Sequence, residues 1–325
     1  MADLQVTLGP LTLKNPVLAA AGTFGYGIEF ARSVRLERLG AIVTKTLTRQ
    51  PREGHPPPRL AETPSGMLNA VGLQNIGLAA FLREKLPPLR RHRVPVIVSV
   101  LSESPDELAA MVQALDAAEG VAAVELNLSC PNLQTRSRFE VQGSRERGLE
   151  PSTLNLQPVM VAQDPDATSA MVEAARSRTA KPVIAKLSPD VTDLAPIAQA
   201  AERAGASALT VGNTFVGMSI DPATRRSRLG AMTGGLSGPA IRPLAVYRVW
   251  YTARSVRIPV IGVGGIVRAE DALEFLLAGA SAVAVGTAHF ADPRAGLRVL
   301  EGLERYLRRH RVGSLNELRG AVNGR

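Results

Sequence analysis

Cysteine is nearly absent: the chain of 325 residues has one, Cys130. One thiol excludes an internal disulfide, a thiolate zinc site and an iron–sulfur cluster built by this chain alone. Histidine is also scarce. The four, His55, His92, His289 and His310, are scattered without metal-ligand spacing. Aromatic residues make up 4%, and no basic, aromatic-studded tract of the kind that binds nucleic acid occurs. No apolar run approaches the roughly 18 to 20 residues of a membrane span. MADLQVTLGP lacks a basic start followed by an apolar block, so a cytoplasmic address is the expectation. Lysine is rare as well. Only five of the 38 basic side chains are Lys, at positions 14, 45, 85, 181 and 186. The net charge of +9 is therefore an arginine bias. It predicts at most attraction of an anionic substrate or phosphate cofactor, and no nucleic-acid or membrane partner.

What is present is repetition. Eight short β-rich runs are predicted at 16–21, 41–47, 95–100, 122–128, 182–187, 207–212, 259–265 and 282–287. Amphipathic stretches such as SPDELAAMVQALDAAEG and RAEDALEFLLAGA separate most of them. Strands alternating with helices form parallel sheets, and eight such units point to a (β/α)8 TIM barrel, an α/β fold, here as one domain over 1–325. The rival is an open doubly wound sheet. It would need a G-x-G-x-x-G turn after the first strand, and GTFGYG has the wrong glycine spacing. Three insertions, about 48–77, 131–163 and 213–238, follow strands. They are expected over the C-terminal mouth, where barrel enzymes keep their sites.

Several residues at that mouth are candidates for chemistry. GVGGI and AVGT, after strands seven and eight, fit a phosphate site, because glycines let backbone N–H groups approach an anion. Tight turns are the plainer reading. Lys45 and Lys186 stand near the ends of strands two and five, where a buried Lys needs an anionic partner. That partner is either a barrel carboxylate, or an electron-rich cofactor or substrate carboxylate. Asn69, Asn127, Asn132 and Asn213 suit a cyclic imide or amide ligand, although an isolated Asn is more often a turn residue. Cys130 precedes Pro131, which disfavours helix there. It is either packing or a nucleophile or general base.

The segments NPVLAAAGTFGYG, TKTLT, REGHPPPR, GMLNAVGLQN, ELNLSCPN, KLSPDVTD, VGNTFVGMSID, GGLSGPAIRP, GVGGI and AVAVGT resemble, in this order, the class 1 dihydroorotate dehydrogenases. The resemblance spans roughly residues 4 to 310, and its wording is closest to the B type. It implies an FMN barrel that oxidises (S)-dihydroorotate to orotate in pyrimidine (UMP) biosynthesis. Cys130 would be the base for the C5 proton, and FMN N5 would take the C6 hydride. Lys45, Asn69, Ala70, Val71, Gly72, Leu73, Asn127, Asn132, Asn213 and Thr214 would line the substrate. Ala21, Lys45, Thr46, Ser99, Asn127, Lys186, Gly212, Gly238, Gly264, Gly265, Gly286 and Thr287 would contact FMN, the last four around its phosphate. Ala21, Ser99 and Gly212 depart from the family's usual residues. The segment 133–157 looks longer than the family's loop and is expected to form a mobile lid; the alternative is a solvated insertion. The resemblance further implies a homodimer and an electron-transfer subunit with FAD and an iron–sulfur cluster that reaches NAD; the A type uses fumarate directly. Competing readings are a related flavin enzyme acting on dihydrouracil and a flavin-binding protein without turnover.

Overall fold

The computed structural model describes residues 2–129 and 161–323. Eight parallel strands close into a barrel: β1 (Val17–Ala19), β2 (Ala41–Val43), β3 (Val96–Val100), β4 (Val121–Asn127), β5 (Val183–Leu187), β6 (Ala208–Val211), β7 (Val260–Val263) and β8 (Ala282–Val285). They lie in chain order around the ring, with β8 paired to β1 and β6 to β7. The eight expected runs are the eight strands, and closure rules out the open sheet. Their continuous apolar character follows from burial on both faces. In β3 and β5 every residue is buried.

The helices pack outside: α1 (Pro105–Asp116), α2 (Pro165–Arg176), α3 (Ala195–Arg203), α4 (Arg242–Ser255), α5 (Ala269–Ala278) and α6 (Ala295–His310). Their ends are written locally. Ser104 accepts from Glu107 N–H at 3.2 Å, and Asp164 accepts from Asp166 N–H at 2.8 Å. Gly279, at φ 117°, closes α5. The apolar faces of these helices and the outer faces of the strands form one continuous core. Burying each Leu, Ile or Val there contributes roughly 1.5–3 kcal/mol. No helix among the described residues is long and apolar enough to cross a membrane.

Two insertions meet over the mouth. Strands Leu60–Thr63 and Gly66–Asn69 come from the first, and Phe215–Gly217 and Gly234–Ser237 from the last. They form one antiparallel sheet, with Gly235 opposite Asn69. Most of the insertion 131–163, the expected lid 133–157, Cys130 and Asn132 lie outside the described residues.

The turn after β8 carries a pH liability. His289, 3% exposed, follows β8 and packs its ring 4.7 Å from that of Phe24. Burial pushes its pKa down to about 4, against the opposing pull of Asp292 and a backbone hydrogen bond with Val285. The folded value lies below the unfolded value of about 6.5. Stability from the neutral ring is therefore present above about pH 6.5 and lost as pH falls toward about 4. Between about pH 7 and about pH 4 the protein should lose about 3 kcal/mol more stability than a His289→Gln variant. Denaturant titrations at both pH values check this, and equal losses would refute it.

Candidate active site

The mouth encloses a cavity of about 730 Å³. Its residues come from the ends of the barrel strands and from the overlying sheet. Ala21 follows β1, and Lys45 and Thr46 follow β2. Asn127 ends β4, and Lys186 projects from β5. Gly212, Asn213 and Thr214 follow β6, Gly264 and Gly265 follow β7, and Gly286 and Thr287 follow β8. From the sheet come Asn69, the loop Ala70, Val71, Gly72 and Leu73, and Gly238. Among the described lining residues there are two lysines, no arginine and one carboxylate, Asp190. In a chain that favours arginine, two lysines at one cleft are a specific choice. A compact ammonium suits a single anionic atom, where a guanidinium forks.

Ser99, expected at the cofactor, is not among the residues that line the cavity; it is fully buried. All of β3 is buried, so its hydroxyl meets the Thr46 hydroxyl at 3.0 Å, while its N–H donates to Thr44 Oγ1 at 3.1 Å. It thereby fixes Thr46 from the second layer.

A hydrogen-bonded row runs along one wall. Asn127 Nδ2 donates to Thr46 Oγ1 at 3.2 Å, and Ser129 Oγ donates to Asn127 Oδ1 at 3.2 Å. Asn213 Nδ2 donates to Ser129 Oγ at 2.7 Å, and Thr214 N–H donates to Asn213 Oδ1 at 2.9 Å. Asn69 Nδ2 is held by the Gly235 carbonyl at 3.1 Å. Each amide is locked in orientation yet keeps unused hydrogen-bonding capacity toward the cavity. Ser129 is a residue the sequence reading missed. The signal was its place between Asn127 and Cys130 in NLSCPN. Asp190, also missed, follows β5 in KLSPD and accepts from Val216 N–H at 3.1 Å. Burial raises its pKa, opposed by that N–H and by Arg248.

The opposite wall is glycine. Gly264 and Gly265 have φ of +139° and +72°, and a Cβ on Gly265 would lie 2.9 Å from the Gly238 carbonyl oxygen. A Cβ on Gly264 would lie 2.7 Å from Ala245 Cβ. Only glycine fits such positions, and bare backbone there can approach an anion closely. The cradle beside Gly286 and Thr287, two lysines and a row of amides together suit a phosphate-bearing cofactor with an electron-rich ring. FMN fits this donor set.

Fold and site thus define a (β/α)8 barrel with a polar, glycine-lined cleft at its C-terminal mouth. Sequence comparison sharpens this. A dihydroorotate dehydrogenase family model matches residues 3–307. A "Dihydroorotate dehydrogenase B (NAD(+)), catalytic subunit" of Trichlorobacter lovleyi is 48% identical over 321 residues, covering 99% of each chain. A protein of the same name from Desulforudis audaxviator is 49% identical over 318 residues, covering 98% of this chain and 97% of that one. The chain belongs to the dihydroorotate dehydrogenase family. The fold also matches the crystal structure of DHODH in complex with ferulenol from Eimeria tenella, with a TM-score of 0.76 and 23% identity over 98% of this chain and 88% of that one.

Proposed function

We propose that this chain oxidises (S)-dihydroorotate to orotate, the redox step of pyrimidine biosynthesis, using FMN. The observation that carries the reading is the pairing of two walls in one cavity. One wall offers Lys45 with Asn69, Asn127 and Asn213; the other offers the glycine cradle. The substrate has a carboxylate and a ring of amide and imide groups. Lys45 suits the carboxylate, and the asparagines suit the ring. Ser129 links Asn127 to Asn213, and the Gly235 carbonyl holds Asn69, so little ordering remains to be done on binding.

When bound, FMN supplies the acceptor for the C6 hydride. Lys186, Thr46 and the glycines 238, 264, 265 and 286 with Thr287 would hold it. The protein's own chemical task is the C5 proton. Cys130 Sγ takes that proton, and as it does the electron pair of the C5–H bond forms the new C5=C6 double bond. Ser129, which precedes it, lines the cavity and is fixed by Asn127 and Asn213. This supports the assignment of Cys130 to the substrate.

Purified protein should be yellow, and anaerobic (S)-dihydroorotate should bleach it. Dihydrouracil lacks the carboxylate and should not. Lys45→Met should weaken dihydroorotate binding about 100-fold or more, a charged hydrogen bond of ~3 kcal/mol. Bleaching by dihydrouracil at an equal rate would favour a dihydropyrimidine enzyme instead. The relatives named above are catalytic subunits of NAD(+) enzymes. This supports a partner that carries electrons to NAD through FAD and an iron–sulfur cluster, since one cysteine cannot hold that cluster here. A homodimer as the catalytic core belongs to the same proposal.

A further inference from the structure

Beneath the floor of the cleft the barrel interior holds a carboxylate, Glu125, 2% exposed. It lies on β4 two residues before Asn127, so both side chains share a face. Its Oε2 accepts from Thr210 Oγ1 at 2.9 Å, while Oε1 has no hydrogen-bond partner. Glu125 and Thr210 line a pocket of about 10 Å³ together with Lys186 and apolar residues including Val43 and Ile261. Lys186 is the only cation among the described residues that line the pocket, is 7% exposed and also lines the main cavity above. Its Nζ forms no hydrogen bond or ion pair with the described residues.

A carboxylate in an apolar pocket stays charged only if hydrogen bonds and an opposite charge compensate it. Thr210 supplies the first and Lys186 the second. The pocket between them is wide enough for about one water molecule, which can join Glu125 Oε1 to the ammonium. Lys186 therefore faces two ways, toward Glu125 below and toward the ligand above. We propose that Glu125 is a positioning residue: it holds Lys186 from beneath and tempers the positive charge that Lys186 presents to the flavin ring. The inference rests on the FMN reading. Glu125 touches no substrate or cofactor; it acts through Lys186.

The test is the midpoint potential of bound FMN. Removing the negative charge leaves Lys186 uncompensated, which favours the electron-richer reduced flavin. Glu125→Gln keeps the shape and the Thr210 bond. It should raise the preference for reduced over oxidised flavin about tenfold, a shift of about +30 mV for a two-electron couple. Glu125→Met, apolar and of similar length, makes the same charge change and must shift the same way if Glu125→Gln does not fold. Glu125→Asp keeps the charge and should stay near the wild-type potential. In a Lys186→Met background the effect of Glu125→Gln should vanish, since the two act as a pair. A wild-type potential in the FMN-loaded Glu125→Gln protein overturns this inference alone. Failure of the wild-type protein to bind FMN overturns the cofactor reading and this inference with it.

Discussion

Replacing Cys130 with alanine is expected to slow flavin reduction by dihydroorotate about 10²–10⁴-fold, the usual worth of a positioned general base. FMN content and orotate affinity should change little, because the cofactor cradle and the amide row are built by other residues. The reasoning starts from the reaction. A proton and a hydride leave adjacent carbons, and the hydride needs only an acceptor, whereas the C5–H is a weak acid and needs a base. Among the described cavity-lining residues the groups able to accept a proton are few. They are His55, Asp190, Lys45 and Lys186: Asp190 is engaged by Val216 N–H, the two lysines serve better as cations, and His55 is the rival base that the Cys130→Ala rate tests. Cys130 follows Ser129 directly, and Ser129 sits in the amide row. Cys130→Ser should also be slow at neutral pH and should recover at high pH, since a hydroxyl is a weaker base than a thiolate. Stopped-flow absorbance under anaerobic conditions reads all three proteins. A wild-type rate in the alanine variant would refute the mechanism.

Gly265→Val should weaken FMN binding and yield protein depleted in flavin. At φ +72° a β-branched residue is strained by about 1–3 kcal/mol. Its Cβ would also lie 2.7 Å from Arg242 Cβ and 2.9 Å from the Gly238 carbonyl oxygen. Overpacking of that kind costs about 1–3 kcal/mol more. The backbone must move, and it is this backbone that would face the phosphate. If half of the combined cost falls on binding, FMN affinity drops about tenfold or more. Gly286→Ala separates crowding of the ligand from strain in the fold. A Cβ there meets Ala20 Cβ at an ordinary 3.7 Å, so the thermal midpoint should hold. If the phosphate lies against Gly286, FMN affinity should still fall. Fluorescence titration of apo-protein with FMN gives both affinities, and wild-type binding by Gly265→Val would remove the phosphate from this cradle.

Much of this molecule is written in short stretches. Parallel barrel strands are buried on both faces, so runs such as PVIVSV and PVIAKL announce themselves without reference to anything distant. Caps are equally local: Ser104, Asp164 and Gly279 mark helix ends through contacts of a few residues. The sequence therefore determined eight strands, their order and the mouth where the glycines and lysines collect. It was less able to set where strands stop. AIVTKTL reads as one strand through 47, but the strand ends at Val43, and Lys45 and Thr46 stand in the irregular chain that carries them into the cavity. Three matters were left to tertiary structure. Ser99 faces Thr46 rather than the cavity. Asn69 meets Gly235 because two insertions 166 residues apart share one sheet. Glu125 lies beneath Lys186. All three depend on which strand lies beside which, at what register, and which way a side chain then points. Local patterns encode the period of a strand or helix, but register across distant segments is decided only when the whole barrel closes and its buried polar groups pair.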